Sequence, residues 1–314
     1  MSEDYHIKYR PSCLEEVIGQ DAVIKSLQSL KKKEGAWPHA FLFTGPSGCG
    51  KTTLARIIAS ELKCDSSGIL EADAASKSGV DDMRNLLDGL KYQGFGANPN
   101  KFIILDEVHS LSKNAWQALL KSLEEPPSHV YFALCTTEIG KVPDTIQTRC
   151  HSYNLKSVRY QDIQELLEIV VESEGLKLET NAITRIAKEC QGSVRKALVY
   201  LSMSRDCVSA NEVSQILESA EGEEDVISLC RLLVGRQQPS WEQIMELLKK
   251  LSDTNPESIR IVMVNYLASC IMRSKREGEV AKFLNIMSHF SEPYNPSEKI
   301  APLLLSLGGV IFSE

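Results

Sequence analysis

At 314 residues the chain has room for two or three domains, each with a core of its own, and its 43% hydrophobic and 25% charged content is that of an ordinary globular protein. A formal net charge of −7 excludes a surface coated in basic charge, but it leaves room for a local basic stripe on which nucleic acid can lie. No apolar run is long enough to span a bilayer, and the start MSEDYHIKYRP lacks the apolar segment of a signal peptide, so no membrane role is expected. The nine cysteines stand singly, without a CxxC pair, which favours free thiols in a reducing cytoplasm over a zinc site or a disulfide framework.

The first predicted element is a strand, Ala40-Phe-Leu-Phe-Thr44. It runs into Gly45-Pro-Ser-Gly-Cys-Gly-Lys-Thr52 and then a helix opening at Thr53, whose Leu54, Ile57, Ile58 and Leu62 fall at helical spacing. Strand, GxxxxGKT and helix, in that order, are the context a phosphate-binding loop requires. Gly45, Gly48 and Gly50 let the backbone amides around Ser47 and Cys49 curl about phosphate oxygens, and the helix N-terminus adds positive potential. Lys51 is placed to reach the β- and γ-phosphates of ATP, and Thr52 to hold a magnesium ion (Mg2+) through its hydroxyl.

Next, Lys101-Phe-Ile-Ile-Leu-Asp-Glu107 reads as a buried central strand ending in two carboxylates. Asp106 suits the water shell of Mg2+, and Glu107 can orient and deprotonate an attacking water. A kinase of small molecules needs no such base, so the acid pair favours hydrolysis. His109 in "DEVH" reads as structural, and no helicase motif follows it. A further strand, Val130–Cys135, runs into Thr136-Thr137-Glu138. A hydroxyl at that tip can bond the attacking water or the γ-phosphate, and a plain strand-ending turn is the other reading. In "PDTIQTRC", Arg149 suits a surface ion pair, a DNA-phosphate contact or an active site. Farther on, Ser193 suits the N-cap of a helix carrying Ala197, Leu198 and Leu201. Arg195 in its first turn is opposed by the helix dipole, which a nearby anion would explain; a solvated surface arginine is the alternative.

Box by box the chain resembles the AAA+ clamp-loader ATPases, most of all the gamma/tau family of the bacterial replicative polymerase, with kinship to the small subunits of replication factor C. The resemblance is carried by Tyr9-Arg-Pro11 and Val17-Ile-Gly-Gln20, by "EADAASKSGVDDMRNLLD" (71–88) and "DEVHSLSKNAWQALLKSLEEPP" (106–127), and by "TRC" (148–150) and "GSVRKAL" (192–198). It covers roughly residues 5 to 205 and fades after about 210.

The resemblance implies an α/β AAA+ P-loop domain over 1–155, with a parallel five-stranded sheet from runs near 41–44, 68–72, 102–105, 130–135 and 151–155. A small helical lid over 156–208 and an all-α collar over 209–314 would follow, the latter with polar turns at "EGEED", "GRQQPS" and "SDTNPES". It places Tyr9, Arg10, Pro11 and Val17 against adenine. Thr137 becomes sensor 1 and Arg195 sensor 2. Arg149 becomes a finger that enters the neighbouring subunit's ATP site, worth on the order of 10³–10⁵ in rate in other systems. The function implied is an ATPase that opens a sliding clamp and sets it on primer–template DNA, in a pentameric assembly with copies of itself and companion subunits.

Lys77, Ser78 and Arg84, with Lys113 as a lesser candidate, are expected to track the DNA backbone if their helix starts face it; solvated helix starts are the alternative. Tyr92 and Phe95 in "KYQGFG" are candidates for clamp contact, or else core residues. The family's four-cysteine zinc module has only Cys64 at the corresponding place, so no zinc is expected. The compact outline, without a tau-type extension, is close to the small subunits of phage, archaeal or eukaryotic loaders. Two further readings stand beside this one. Another AAA+ remodeller, such as a branch-migration motor or helicase loader, is disfavoured by "TRC" and "LLKSLEEPP". A non-hydrolysing ATP-binding scaffold is disfavoured by the presence of Lys51 and Glu107.

Overall fold

The computed structural model describes residues 4–32, 37–76, 79–89, 99–235, 239–251, 254–274, 276–295 and 299–312, with the side chains of 218–224 outside the description. The chain divides into two compact units, Met1–Val213 and Ser214–Glu314.

In the first unit, five strands form one parallel sheet: β1 (Ala40–Thr44), β2 (Ile69–Asp73), β3 (Lys101–Asp106), β4 (Val130–Thr136) and β5 (His151–Asn154), in the order β2-β3-β4-β1-β5. Every residue of β1 is buried, as expected of a strand flanked on both sides and covered on both faces. Period-2 alternation sends Phe41 and Phe43 to one face, with Phe102, Ile104 and Ala133, and sends Leu42 to the other, with Ile103, Leu105 and Phe132. The first face is covered by α2 (Asp21–Lys31) and α3 (Lys51–Glu61), through Leu27, Leu54 and Ile58. The second is covered by α4 (Val80–Asp88) and α5 (Lys113–Glu124), through Met83, Trp116 and Leu119.

Register brings the carboxyl ends of the strands together. Thr44 stands beside Thr136 on one side and Asn154 on the other, and Asp73 stands beside Asp106. The phosphate loop, the acid pair and the Thr136-Thr137 tip therefore issue from one edge, where open α/β sheets place their ligands, whereas Arg149 precedes β5 at its amino end. A short N-terminal helix, α1 (Tyr5–Lys8), precedes the sheet, and α6 (Asp144–Gln147) leads into β5. Three helices complete the unit: α7 (Tyr160–Glu174), α8 (Thr180–Glu189) and α9 (Val194–Met203). Gln20 ties the N-terminal box to the start of this group, donating to the Lys156 carbonyl at 2.7 Å and accepting from its N–H at 3.2 Å.

The second unit is helical: the later part of α10 (Ala210–Val234), then α11 (Trp241–Lys250), α12 (Pro256–Arg273), α13 (Glu277–Ser288) and α14 (Ala301–Phe312). Leu229, Ile244, Met263, Phe290, Leu303 and Leu307 are buried in its core. The polar turn expected at "EGEED" is absent, since α10 runs through 221–225 without a break. Glutamates are good helix formers, and one interior glycine costs only about 1 kcal/mol, which tertiary packing readily offsets. Asn255 caps α12 through its side chain, with Pro256 in the first helical turn, so the expected break at "SDTNPES" is present. Among the described residues no helix is long and apolar enough to cross a membrane.

Candidate nucleotide site

A cleft of about 910 Å³ opens at the carboxyl edge of the sheet, walled by the N-terminal box, the phosphate loop, the end of β3 and one side of α7 and α9. The loop's shape depends on glycine at two places. Gly45 has φ +142°, and a Cβ there would stand 2.4 Å from the Leu155 carbonyl oxygen. Gly48 has φ +73°, and a Cβ would stand 2.0 Å from the Ser193 hydroxyl, so a side chain at either position would force backbone or cap apart. Lys51 is buried, and its ammonium donates to the carbonyls of Gly45 and Pro46 at 2.9 Å each. The Thr52 hydroxyl donates to Asp106 Oδ2 at 2.7 Å, while the Glu107 N–H donates to Asp106 Oδ1 at 3.0 Å. Strand register produces this contact, because β3 ends level with the first turn of α3.

Glu107 follows with a left-handed backbone, φ 48° and ψ 43°, uncommon for a residue with a side chain. Its carboxylate accepts a long hydrogen bond from the Thr137 hydroxyl at 3.4 Å. Of the two threonines at the tip of β4, Thr136 is fully buried while Thr137 is exposed beside Glu107. Thr137, the one of this pair that the resemblance assigns as sensor 1, is thus the one whose hydroxyl reaches Glu107.

Cations converge on the cleft. Arg195 enters it from the first turn of α9, where Ser193 caps the helix by accepting from the Lys196 N–H at 3.3 Å. Burial lowers the pKa of the Arg10 guanidinium, and the neighbouring Arg56 and Arg195 lower it further, while Glu71 opposes them. Crowded like charges next to amides at a helix start make a site that gains by binding an anion. Thr52 and Asp106 supply hard oxygen donors already in contact beside that anion site, a donor set that fits Mg2+ rather than a soft metal.

Of the residues predicted for the nucleotide, Tyr9, Arg10, Pro11, Val17, Ser47, Gly48, Cys49, Gly50, Lys51, Thr52, Thr53, Asp106, Glu107 and Arg195 all line this one cleft. Gly45 shapes the loop from below. Sequence reasoning missed Leu166 and Ile169, which add apolar wall beside Ile18 of the N-terminal box. Ile169 keeps 60% of its surface exposed, and its apolar character off the buried stripe of α7 was the available signal.

Arg149 is not among the lining residues. It stands just beyond α6, donating to the Thr145 carbonyl at 2.6 Å and to Glu124 Oε1, at the end of α5, at 2.6 Å. Arg84 is exposed and lies 3.5 Å from Asp81 on its own helix, and Lys113 opens α5 on the surface. Lys77, Ser78, Tyr92 and Phe95 lie outside the described residues. The Cys64 thiol is pushed up to about 11, by burial first and by Asp65 second, and so stays protonated at neutral pH.

Residues 69–159 match the family model described as "DNA polymerase III, delta subunit". The gamma subunit of DNA polymerase III from Buchnera aphidicola subsp. Baizongia pistaciae is 30% identical over 293 residues, covering 84% of this chain and 78% of that protein. The tau subunits from Bacillus subtilis and Escherichia coli are 38% and 33% identical over 62% and 77% of the chain, which spans only 38% and 41% of their length. Among solved structures, the Thermotoga maritima RuvB Holliday junction branch migration motor superposes with a TM-score of 0.58 at 22% identity, covering 86% of this chain and 93% of that one. At that identity the likeness is one of fold alone. Sequence similarity across most of both chains decides the family: the chain belongs to the DNA polymerase III gamma/tau family.

Proposed function

We propose that the protein is an ATP-hydrolysing subunit of a sliding-clamp loader, working in the cytoplasm on primer–template DNA. The observation that carries hydrolysis is the contact of Thr52 with Asp106 at 2.7 Å, with Glu107 and Lys51 lining the same cleft. Thr52 and Asp106 hold Mg2+, which when bound neutralises charge on the phosphate oxygens. Lys51 leaves its two loop carbonyls for the phosphates, and Arg195 grips them from α9. Tyr9, Arg10, Pro11 and Val17 border the adenine. Glu107 takes a proton from the attacking water while Thr137 keeps the carboxylate oriented.

Arg149 serves a neighbour's site in this reading. It stands outside the cleft of its own chain, and its planar guanidinium suits two phosphate oxygens of another subunit. Residues 1–155 are then the nucleotide domain, 156–208 the lid with sensor 2, and 209–314 the collar of a pentamer that includes companion subunits. Lys77, Ser78, Arg84 and Lys113 contact the DNA backbone, and Tyr92 and Phe95 the clamp. No zinc takes part.

The test is ATP turnover by mixed variants. Lys51→Ala lacks its own phosphate grip but offers Arg149; Arg149→Ala has the opposite defect. Each alone should be nearly inactive, and mixing them, with sliding clamp and primed DNA present, should restore turnover. Absence of rescue after proven mixing of protomers would place Arg149 in a structural role.

A further inference from the structure

His109 lies in a turn of 3-10 helix, Val108–Ser110, directly after Glu107, with most of its ring buried. Its Nδ1 lies 3.2 Å from Glu107 Oε2 and 3.1 Å from the Thr136 hydroxyl oxygen. Its Nε2 lies 3.5 Å from Glu138 Oε1, and Glu138 is itself bonded to Lys141 at 2.8 Å. The Thr136 hydroxyl oxygen accepts the Glu138 N–H at 3.0 Å, so the whole network is fixed to the tip of β4.

Both ring nitrogens face carboxylate oxygens, Nδ1 the nearer at 3.2 Å from Glu107 and Nε2 the farther at 3.5 Å from Glu138, so the nearer approach weighs more in placing the proton. A carboxylate oxygen only accepts, so the approach of Nδ1 to Glu107 is attractive only when Nδ1 carries hydrogen. The alternative, a Thr136 hydroxyl donating to a bare Nδ1, would set a lone pair against a carboxylate. Both Glu107 and its left-handed backbone need something to hold them, since the side chain is solvent-accessible and the backbone conformation is costly.

We infer that His109 is a positioning residue for hydrolysis: its Nδ1–H holds the Glu107 carboxylate in place and couples it to Thr136 and Glu138 at the end of β4. This rests on the proposed role of Glu107 as the base. Thr137 gives the carboxylate a long hydrogen bond of 3.4 Å; Nδ1, on a rigid ring and 3.2 Å away, adds an electrostatic hold. Misplacing a base by about 1 Å costs on the order of a hundredfold in rate, so loss of this hold should cost tenfold to a hundredfold in kcat.

The decisive variants differ in which ring nitrogen they imitate. Asparagine places its amide near Nδ1, and glutamine places its amide near Nε2. In the assembly formed in the mixing experiment, His109→Ala should lower kcat tenfold or more with ATP affinity and KM unchanged. His109→Asn should recover most of the loss and His109→Gln little. A ring that merely fills space predicts the reverse order, because glutamine is closer to histidine in size, and that result overturns the inference. An independent reading comes from long-range ¹H–¹⁵N spectra of the full wild-type chain. The resonance missing from His109→Asn should show a proton on Nδ1; a bare Nδ1 sinks the proposal whatever the kinetics. If wild type turns over no ATP in any assembly, the reading of Glu107 fails and takes this inference with it. If wild type is active and all three variants match it, this inference alone fails.

Discussion

The two units treat their polar side chains in opposite ways. In the first, Lys51, Thr52, Asp106, Glu107 and Arg195 gather at the ends of parallel strands and face a cleft. In the second, Glu257 and Arg260 on α12 spend their charge internally. The guanidinium donates to both carboxylate oxygens and to the Phe290 carbonyl, and Glu257 also accepts the Tyr294 N–H at 2.7 Å. One arrangement leaves hydrogen-bonding capacity for something outside the chain, and the other uses it to clamp α12 to the segment after α13. The difference separates chemistry from architecture better than composition does, for both sets are built from the same few residue types.

Variants can widen or close that contrast. Arg149→Ala should have the largest effect, about 10³-fold or more on turnover in the assembly, with ATP binding by its own chain retained; equal loss of binding would return Arg149 to its own cleft. Glu107→Gln should lower kcat by about 10²–10⁴ while nucleotide affinity is kept, as measured by single-turnover hydrolysis beside equilibrium binding.

In the second unit, Glu257→Gln should leave nucleotide binding intact and cost about 2 kcal/mol of stability, since it breaks a charge-assisted pair and weakens the acceptor for Tyr294. Thermal unfolding read against pH checks the same residue. The Arg260 guanidinium first, and the Tyr294 N–H second, hold the Glu257 carboxyl at about 2, below its ordinary 4.5. A depressed folded value means that the contribution is complete above about 4.5 and is lost as pH falls from there towards 2. Wild type should therefore lose stability over that window more steeply than Glu257→Gln.

The smallest effects compare one device in both units. Ser193 caps α9, and Ser240 caps α11 in a reciprocal box with Gln243. Each serine-to-alanine change should cost about 1 kcal/mol. Only Ser193→Ala should also raise the KM for ATP, because it loosens the turn that carries Arg195; an equal KM for both variants would uncouple the cap from the site.

Much of this was legible in the sequence wherever a property is local. The apolar runs of β1, β3 and β4, the phosphate loop, the acid pair and the Ser193 cap are each contained in a few consecutive residues, and each formed as read. What was not legible depends on distance along the chain. Glu124 and Arg149 meet because α5 and α6 end near each other, and nothing in either local sequence announces it. His109 reads as one histidine in a turn until β4 brings Thr136 and Glu138 to its ring. Ile169 looks like one more apolar position on a helix, and only the placement of α7 turns it into a wall of the cleft. The continuity of α10 through "EGEED" was missed for another reason: a polar stretch with a glycine satisfies the local rules for a turn and for a helix, and packing elsewhere decides between them.

The strand order carries a consequence for biosynthesis. β1, which bears the phosphate loop, pairs with β4 and β5, so Ala40 finds its partner at Phe132 and Phe41 finds one at His151. Both neighbours are translated long after β1 itself, and local contacts cannot stand in for them. A nascent chain still short of β4 thus holds the complete phosphate-loop sequence with neither flanking strand. ATP cannot assist the folding of that early segment, and the apolar residues of β1 must be kept from aggregating until β5 has left the ribosome.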